Sequence, residues 1–240
     1  LDFSGYVDVA RGSALLMGIN LPQNFNFPYL TTSIADFWRR WHITLGDWLR
    51  NYLYFPLGGS RQGLARTALN LMVVMLIAGV WHGNTWGFVI WGGIHGLALV
   101  VHRVNHQLSE SWAPLQKFWT QPWGWLAAWG VTQFFVFFSW LFFRLPEPQQ
   151  FSLAVQKLWG VSSDVQFAQK VYVESLGLTA TQLWILLWAL MGIMALTGFA
   201  QHQLKLQLNW PVKLLLVPLL LFTAWQLAPS ETLSFIYFDF

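Results

Sequence analysis

The chain has 240 residues, 55% of them hydrophobic and 18% aromatic, and only 10% carry charge, against about 25% in soluble globular proteins. That balance excludes an ordinary soluble domain, and a net charge of +3 spread beside apolar runs excludes a nucleic-acid surface. The absence of cysteine excludes disulfides, thiolate metal sites and a cysteine nucleophile.

In chain order, Leu1 to Asn20 lacks the basic start, apolar core and cleavage site of a signal peptide, so the sequence is expected to begin inside a longer protein. Gly5 to Ile19 is a weak candidate span because it contains Asp8 and Arg11. Next comes "SIADFWRRWHITLGDWLRNYLYFPLGGSRQG", Ser33 to Gly63, the densest cluster of charge and indole in the chain. It predicts one helix with Ser33 as N-cap and Asp36 at the third position of a capping box. Phe37, Trp38, Trp41, Leu45, Trp48 and Leu49 stand at helical spacing, and Asp36 with Arg40 and Asp47 with Arg50 are spaced to pair. The arginines suit an interfacial anchor helix whose long side chains snorkel. His42, between Trp41 and Ile43, is either a hydrogen-bonded structural histidine or a catalytic one. The glycines of "FPLGGSR" would let backbone approach a ligand.

Thr67 to Val101 is apolar but interrupted by "WHGNTWG", which predicts two helices, each short for a full crossing. An ionisable residue there is costly, so a functional role is the first hypothesis for His82. The alternative is that His82 only bonds a carbonyl to close the break. Asn84, Trp81 and Trp86 are neighbouring donors, and His95 on the second half could meet His82 across the hairpin. Zinc held by His42, His82 and His95 is conceivable, but no spacing demands it and no metal is assigned. His102 and His106 suit a solvated helix end, and His202 a basic loop.

Three further spans follow: Trp123 to Phe143, Gln182 to Ala200, and Val212 to Ala228 with a kink at Pro218. The polar Pro146 to Ala180 loop predicts an amphipathic surface element. By Lys and Arg bias, Ser33 to Arg66, the loop after His102 and Gln201 to Lys213 are cytoplasmic, while Arg144 to Ala180 and the tail are outside. Residues 1–240 thus read as a single all-α, polytopic membrane domain in contact with the bilayer. No serine sits in a Gly-x-Ser-x-Gly setting, which leaves a histidine general base, whose ordinary pKa of about 6.5 suits proton removal from a hydroxyl.

At "FWRRWHITLGDWLRNYLYFPLGGSR" and "LIAGVWHGNTWGFVIWGGIHG" the chain resembles the membrane-bound O-acyltransferase family, within it the subgroup serving bacterial alginate O-acetylation. "DFSGYVDVARG" and "FIYFDF" extend the likeness to both ends. The resemblance implies a ring of helices, some broken or re-entrant, around a tunnel in the inner membrane of a bacterium. It implies that His82 is catalytic and that His42 lines the same path. Arg39 and Arg40 would meet a nucleotide or phosphate, with Trp41, Asn84, Trp86 and His95 as further substrate contacts. No cofactor is implied; the acyl donor would be acetyl-CoA or a related thioester, and the acceptor an exported polysaccharide or a periplasmic acetyltransferase partner. Two departures are visible: "ITLGDW" stands where "ISLS" is common, and family members are longer. Competing readings are D-alanyl transfer to teichoic acid, a transporter that places histidine and arginine at a helix break, and a scaffold subunit without activity.

Overall fold

A computed structural model describes residues 2–145 and 147–159, and separate positions between 179 and 222. The chain divides into two compact units, Leu1–Ser163 and Asp164–Asp239. The first holds α1 (Asp2–Leu16), a 3₁₀ turn (Pro28–Leu30), α2 (Ile34–Arg40) and α3 (Ile43–Leu49), which runs into a π-helical turn (Arg50–Tyr54). Then come α4 (Gly63–His82), α5 (Trp86–Ser111), α6 (Ala113–Thr120), α7 (Pro122–Arg144) and α8 (Pro148–Trp159). Among the described residues there is no strand.

Helices α4, α5 and α7 are long and apolar enough to cross a membrane. This corrects the expectation of two short helices before Val101. Only Gly83 to Thr85 leave the helical conformation, so α4 and α5 have 20 and 26 residues, roughly 30 and 39 Å. Trp81, His82 and Trp86 stay helical because the extended backbones of Gly83 and Thr85 suffice for the reversal.

The distribution of polarity is that of a protein in lipid. Leu69, Ile77, Val80, Leu97, Val101, Val131, Phe134 and Phe137 are exposed, whereas Thr67, Asn70, His82, His95, Thr132, Gln133 and Ser139 are buried. Polar groups are costly in hydrocarbon, so they turn inward and the apolar ones face out.

Close approach of α4 and α5 depends on glycine. A Cβ on Gly79 would run into the Phe88 carbonyl, one on Gly92 into the Met75 carbonyl, and one on Gly96 would stand 2.9 Å from the Met72 sulfur. With Gly92 and Gly96 four residues apart, this is the small-residue packing that replaces hydrophobic drive between helices in membranes.

Helix α2 is not a surface anchor. Phe37 is 1% exposed and packs with Ile34 against the buried Val136 of α7, with Ala98 and Leu99 of α5 alongside. Nor is Ser33 to Leu49 one helix: it breaks at Trp41 and His42, where His42 adopts a left-handed conformation. Ser33 does cap α2, accepting from the Asp36 N–H at 3.1 Å. Asp36 pairs with Arg40 at 3.1 Å and Asp47 with Arg50 at 2.9 Å.

From the break the chain doubles back along α4. Leu49 is buried with Val74 and Ala78, with Leu45, Leu53, Tyr54 and Leu57 packed against them. At the far end Asn70 donates to the carbonyls of Leu57 at 3.1 Å and Gly59 at 2.9 Å. Residues 42 to 59 therefore retrace α4 in reverse over roughly 18 Å. Part of Ser33 to Arg66, the stretch read from charge as cytoplasmic, thus packs along α4.

Beyond α7, the loop read as an amphipathic element contains α8, whose Phe151 stacks on Phe142 at 3.8 Å. In the second unit, Thr179 and Gln182 cap one another: the Thr179 N–H donates to Gln182 Oε1 at 2.8 Å and the Gln182 N–H to Thr179 Oγ1 at 3.3 Å. Most of Gln182 to Ala200 and of Val212 to Ala228, the Gln201 to Lys213 loop with His202, and the tail lie outside the described residues.

Candidate active site

His82 is the last residue of α4, 7% exposed. Among the described residues its surroundings are aromatic: Trp91 at 5.3 Å between ring centroids, Phe143 at 4.9 Å, Phe88 at 6.3 Å and its neighbour Trp81 at 4.8 Å. Gly83 permits this, since a Cβ there would strike the Phe88 ring. No described residue forms a hydrogen bond with the His82 imidazole.

His42 comes to this place from the α2–α3 junction. The two imidazoles lie within electrostatic reach of each other. His42 has φ 46° and ψ 55°, a conformation that costs a residue with a side chain about 1–2 kcal/mol. Its ring packs on Phe3 at 4.9 Å, and its Nδ1 is buried without a hydrogen-bond partner. Burial lowers its pKa to about 4, so His42 is neutral at physiological pH.

His95 is in a different condition. The Trp38 indole N–H donates to its Nδ1 at 3.3 Å, which leaves Nε2 to carry the proton and donate to Ser139 Oγ at 2.9 Å. The Ser139 hydroxyl passes its own hydrogen to the Val136 carbonyl at 2.7 Å. This chain joins α2, α5 and α7, and with 1% exposure His95 has no surface for a substrate. Among the described residues it meets His82 through Trp91, whose ring is 4.8 Å from that of His95.

The remaining candidates separate. Trp41 stacks on Phe37 at 5.6 Å and packs with Phe25 and Trp140, each at 4.9 Å, inside the protein. Asn84 and Trp86 are exposed at the α4–α5 turn beside His82. Arg40 is paired with Asp36, and Arg39 lies within electrostatic reach of His102, roughly 16 Å along α5 from Trp91. Among the described residues, no three histidines or carboxylates gather to hold a metal ion.

Several residues of the site were not singled out from sequence. Trp91, Phe88 and Phe143 are indistinguishable from other aromatics in apolar runs. Ser139 had a signal, being a polar residue inside the Trp123 to Phe143 run. Asn24, whose side chain meets Thr44, had none, since it sits in a loop without periodicity.

A family model described as MBOAT, membrane-bound O-acyltransferase family, matches residues 1–145. Over 143 residues the chain is 49% identical to the peptidoglycan O-acetyltransferase of Helicobacter pylori, covering 60% of this chain and 26% of the relative. It is 52% identical over 102 residues to a probable alginate O-acetylase of Azotobacter vinelandii, covering 42% and 20%. To the teichoic acid D-alanyltransferase of Bacillus subtilis it is 30% identical over 128 residues, covering 50% and 32%. The chain thus spans between a fifth and a third of the length of these relatives.

Proposed function

The chain belongs to the membrane-bound O-acyltransferase family, and on that premise we propose that it carries the histidine centre of an enzyme that O-acetylates an exported polysaccharide from the inner membrane of a bacterium. The observation carrying this reading is the state of His82: buried in the spanning bundle, in an aromatic box, with ring nitrogens that no described residue engages. Acetyl is favoured over D-alanyl because the peptidoglycan and alginate relatives, at 49% and 52% identity, are both named for acetyl transfer, whereas the D-alanyltransferase stands at 30%. An alginate-like glycan is the proposed acceptor, and a periplasmic acetyltransferase the proposed partner.

In the proposed reaction His82 accepts the proton of an acceptor hydroxyl as its oxygen attacks the carbonyl of a thioester such as acetyl-CoA. The carbon–sulfur bond then breaks, the ester is released, and the proton passes from His82 to the departing thiolate. Trp91, Phe88 and Phe143 exclude water, which protects the thioester from hydrolysis. Neutral His42 orients His82 or relays its proton. His95, bonded through both nitrogens, serves as a positioning residue, not a substrate contact.

The experiment is polysaccharide O-acetylation in cells carrying the complete protein with His82→Ala or His82→Gln, with membrane abundance measured alongside. Loss of acetyl groups at normal abundance is expected. Acetylation retained would make His82 structural, and export of the polysaccharide that proceeds without an acyl donor would favour a transporter.

A further inference from the structure

We infer that Asn24 is a positioning residue for His42, holding from outside the left-handed junction at which that histidine sits. The inference rests on the reading of His42 as part of the reaction path.

Helix α3 begins without a cap of its own. His42 occupies its N-cap position and makes no side-chain capping bond, which would leave the first N–H groups of the helix unsatisfied. Asn24, twenty residues earlier, takes that role. Its backbone carbonyl accepts the Ile43 N–H at 3.0 Å. Its Oδ1 accepts the Thr44 N–H at 3.1 Å and the Thr44 hydroxyl at 2.8 Å, filling both lone pairs. Across the break, the Asn26 N–H donates to the Arg40 carbonyl at 2.9 Å. The strap thus grips the backbone on both sides of Trp41 and His42.

Side chains finish the clamp. Phe25, between the two asparagines, packs on Trp41 at 4.9 Å and on Phe3 at 5.4 Å, and Phe3 packs on the His42 ring. A left-handed residue with a side chain persists only where its surroundings over-determine it. Removing Asn24 Oδ1 frees the α3 first turn to relax, and His42 moves with it, relative to His82.

The test uses the complete protein in membranes, with acetyl-CoA as donor probe, and reads kcat and KM per molecule of protein. Asn24→Ala is expected to lower kcat roughly 10–100-fold with KM for the donor little changed, as a misplaced group costs rate. Thr44→Val should fall in the same direction and Thr44→Ser should retain turnover, because it keeps the hydroxyl. The Asn24→Ala, Thr44→Val double variant should be no worse than Asn24→Ala alone, since the hydroxyl bond lost in Thr44→Val is one of the two that Asn24→Ala removes. Unchanged turnover in Asn24→Ala and Thr44→Val beside a defective His42→Ala overturns the inference. So does a loss that merely follows reduced abundance. Full turnover in His42→Ala sinks instead the underlying reading of His42.

Discussion

His82 and His95 lie on one helical hairpin, each followed by glycine, each buried, each packed on Trp91. His95 spends both nitrogens on Trp38 and Ser139, while the described neighbours of the His82 ring are aromatic. Burial therefore does not separate the two histidines. What separates them, among the described residues, is whether the imidazole is already hydrogen-bonded.

The sharpest way to break that comparison is at His82. His82→Gln is expected to lower acetyl transfer by roughly 10²- to 10⁴-fold, the range of a general base, with unchanged thermal stability in detergent. Should stability fall and transfer per molecule persist, the two histidines would be alike.

The complementary change is Ser139→Ala. It leaves the His95 Nε2–H unpaired in a buried site, which costs about 1–3 kcal/mol. A lowered unfolding midpoint with transfer per molecule retained is expected, and the opposite pattern would place His95 in the chemistry.

A smaller effect follows from His42. Its pKa is lowered to about 4 in the folded protein, against an ordinary 6.5, so between these values the unfolded chain binds the extra proton. Stability is therefore full above pH 6.5 and declines as pH falls through about 4. A series of unfolding midpoints should show this slope in the parent and a flatter one in His42→Gln. Because His42 stays neutral between pH 5 and 8, it adds no limb to the pH profile there, and the shape of the profile should be the same in the parent and in His42→Gln wherever turnover remains measurable.

The least disruptive probe is Asn84→Cys, which introduces the sole cysteine of this sequence at the exposed α4–α5 turn. Labelling by an impermeant thiol reagent from outside would agree with the charge-derived orientation, and labelling only from the cytoplasm would reverse it.

Much of the architecture was legible beforehand because membrane spans are written locally. The run Trp123 to Phe143 anticipates α7 to within a residue at each end, since twenty apolar residues have few other ways to satisfy their backbone in lipid. Ser33 was recognisable as a cap for the same reason: its partner, Asp36, is three residues away. The continuous helix expected through His42 failed because the helical spacing of Phe37, Trp41, Leu45 and Leu49 survives a one-residue left-handed break, so periodicity cannot detect it. The anchor reading of α2 failed because snorkelling arginines look alike whether the apolar face meets lipid or Val136.

By itself the sequence determined that this is a helical membrane protein, where α7 runs, and that histidines interrupt an apolar region, because solvent preference and helical period are properties of contiguous residues. Which histidine is satisfied, where the chain kinks and what holds the kink were decided by tertiary structure alone. The partners responsible stand 57, 44 and 20 residues away: Trp38 and Ser139 for His95, and Asn24 for Thr44 beside His42. A hydrogen bond between such residues exists only once helices with no local relation have packed.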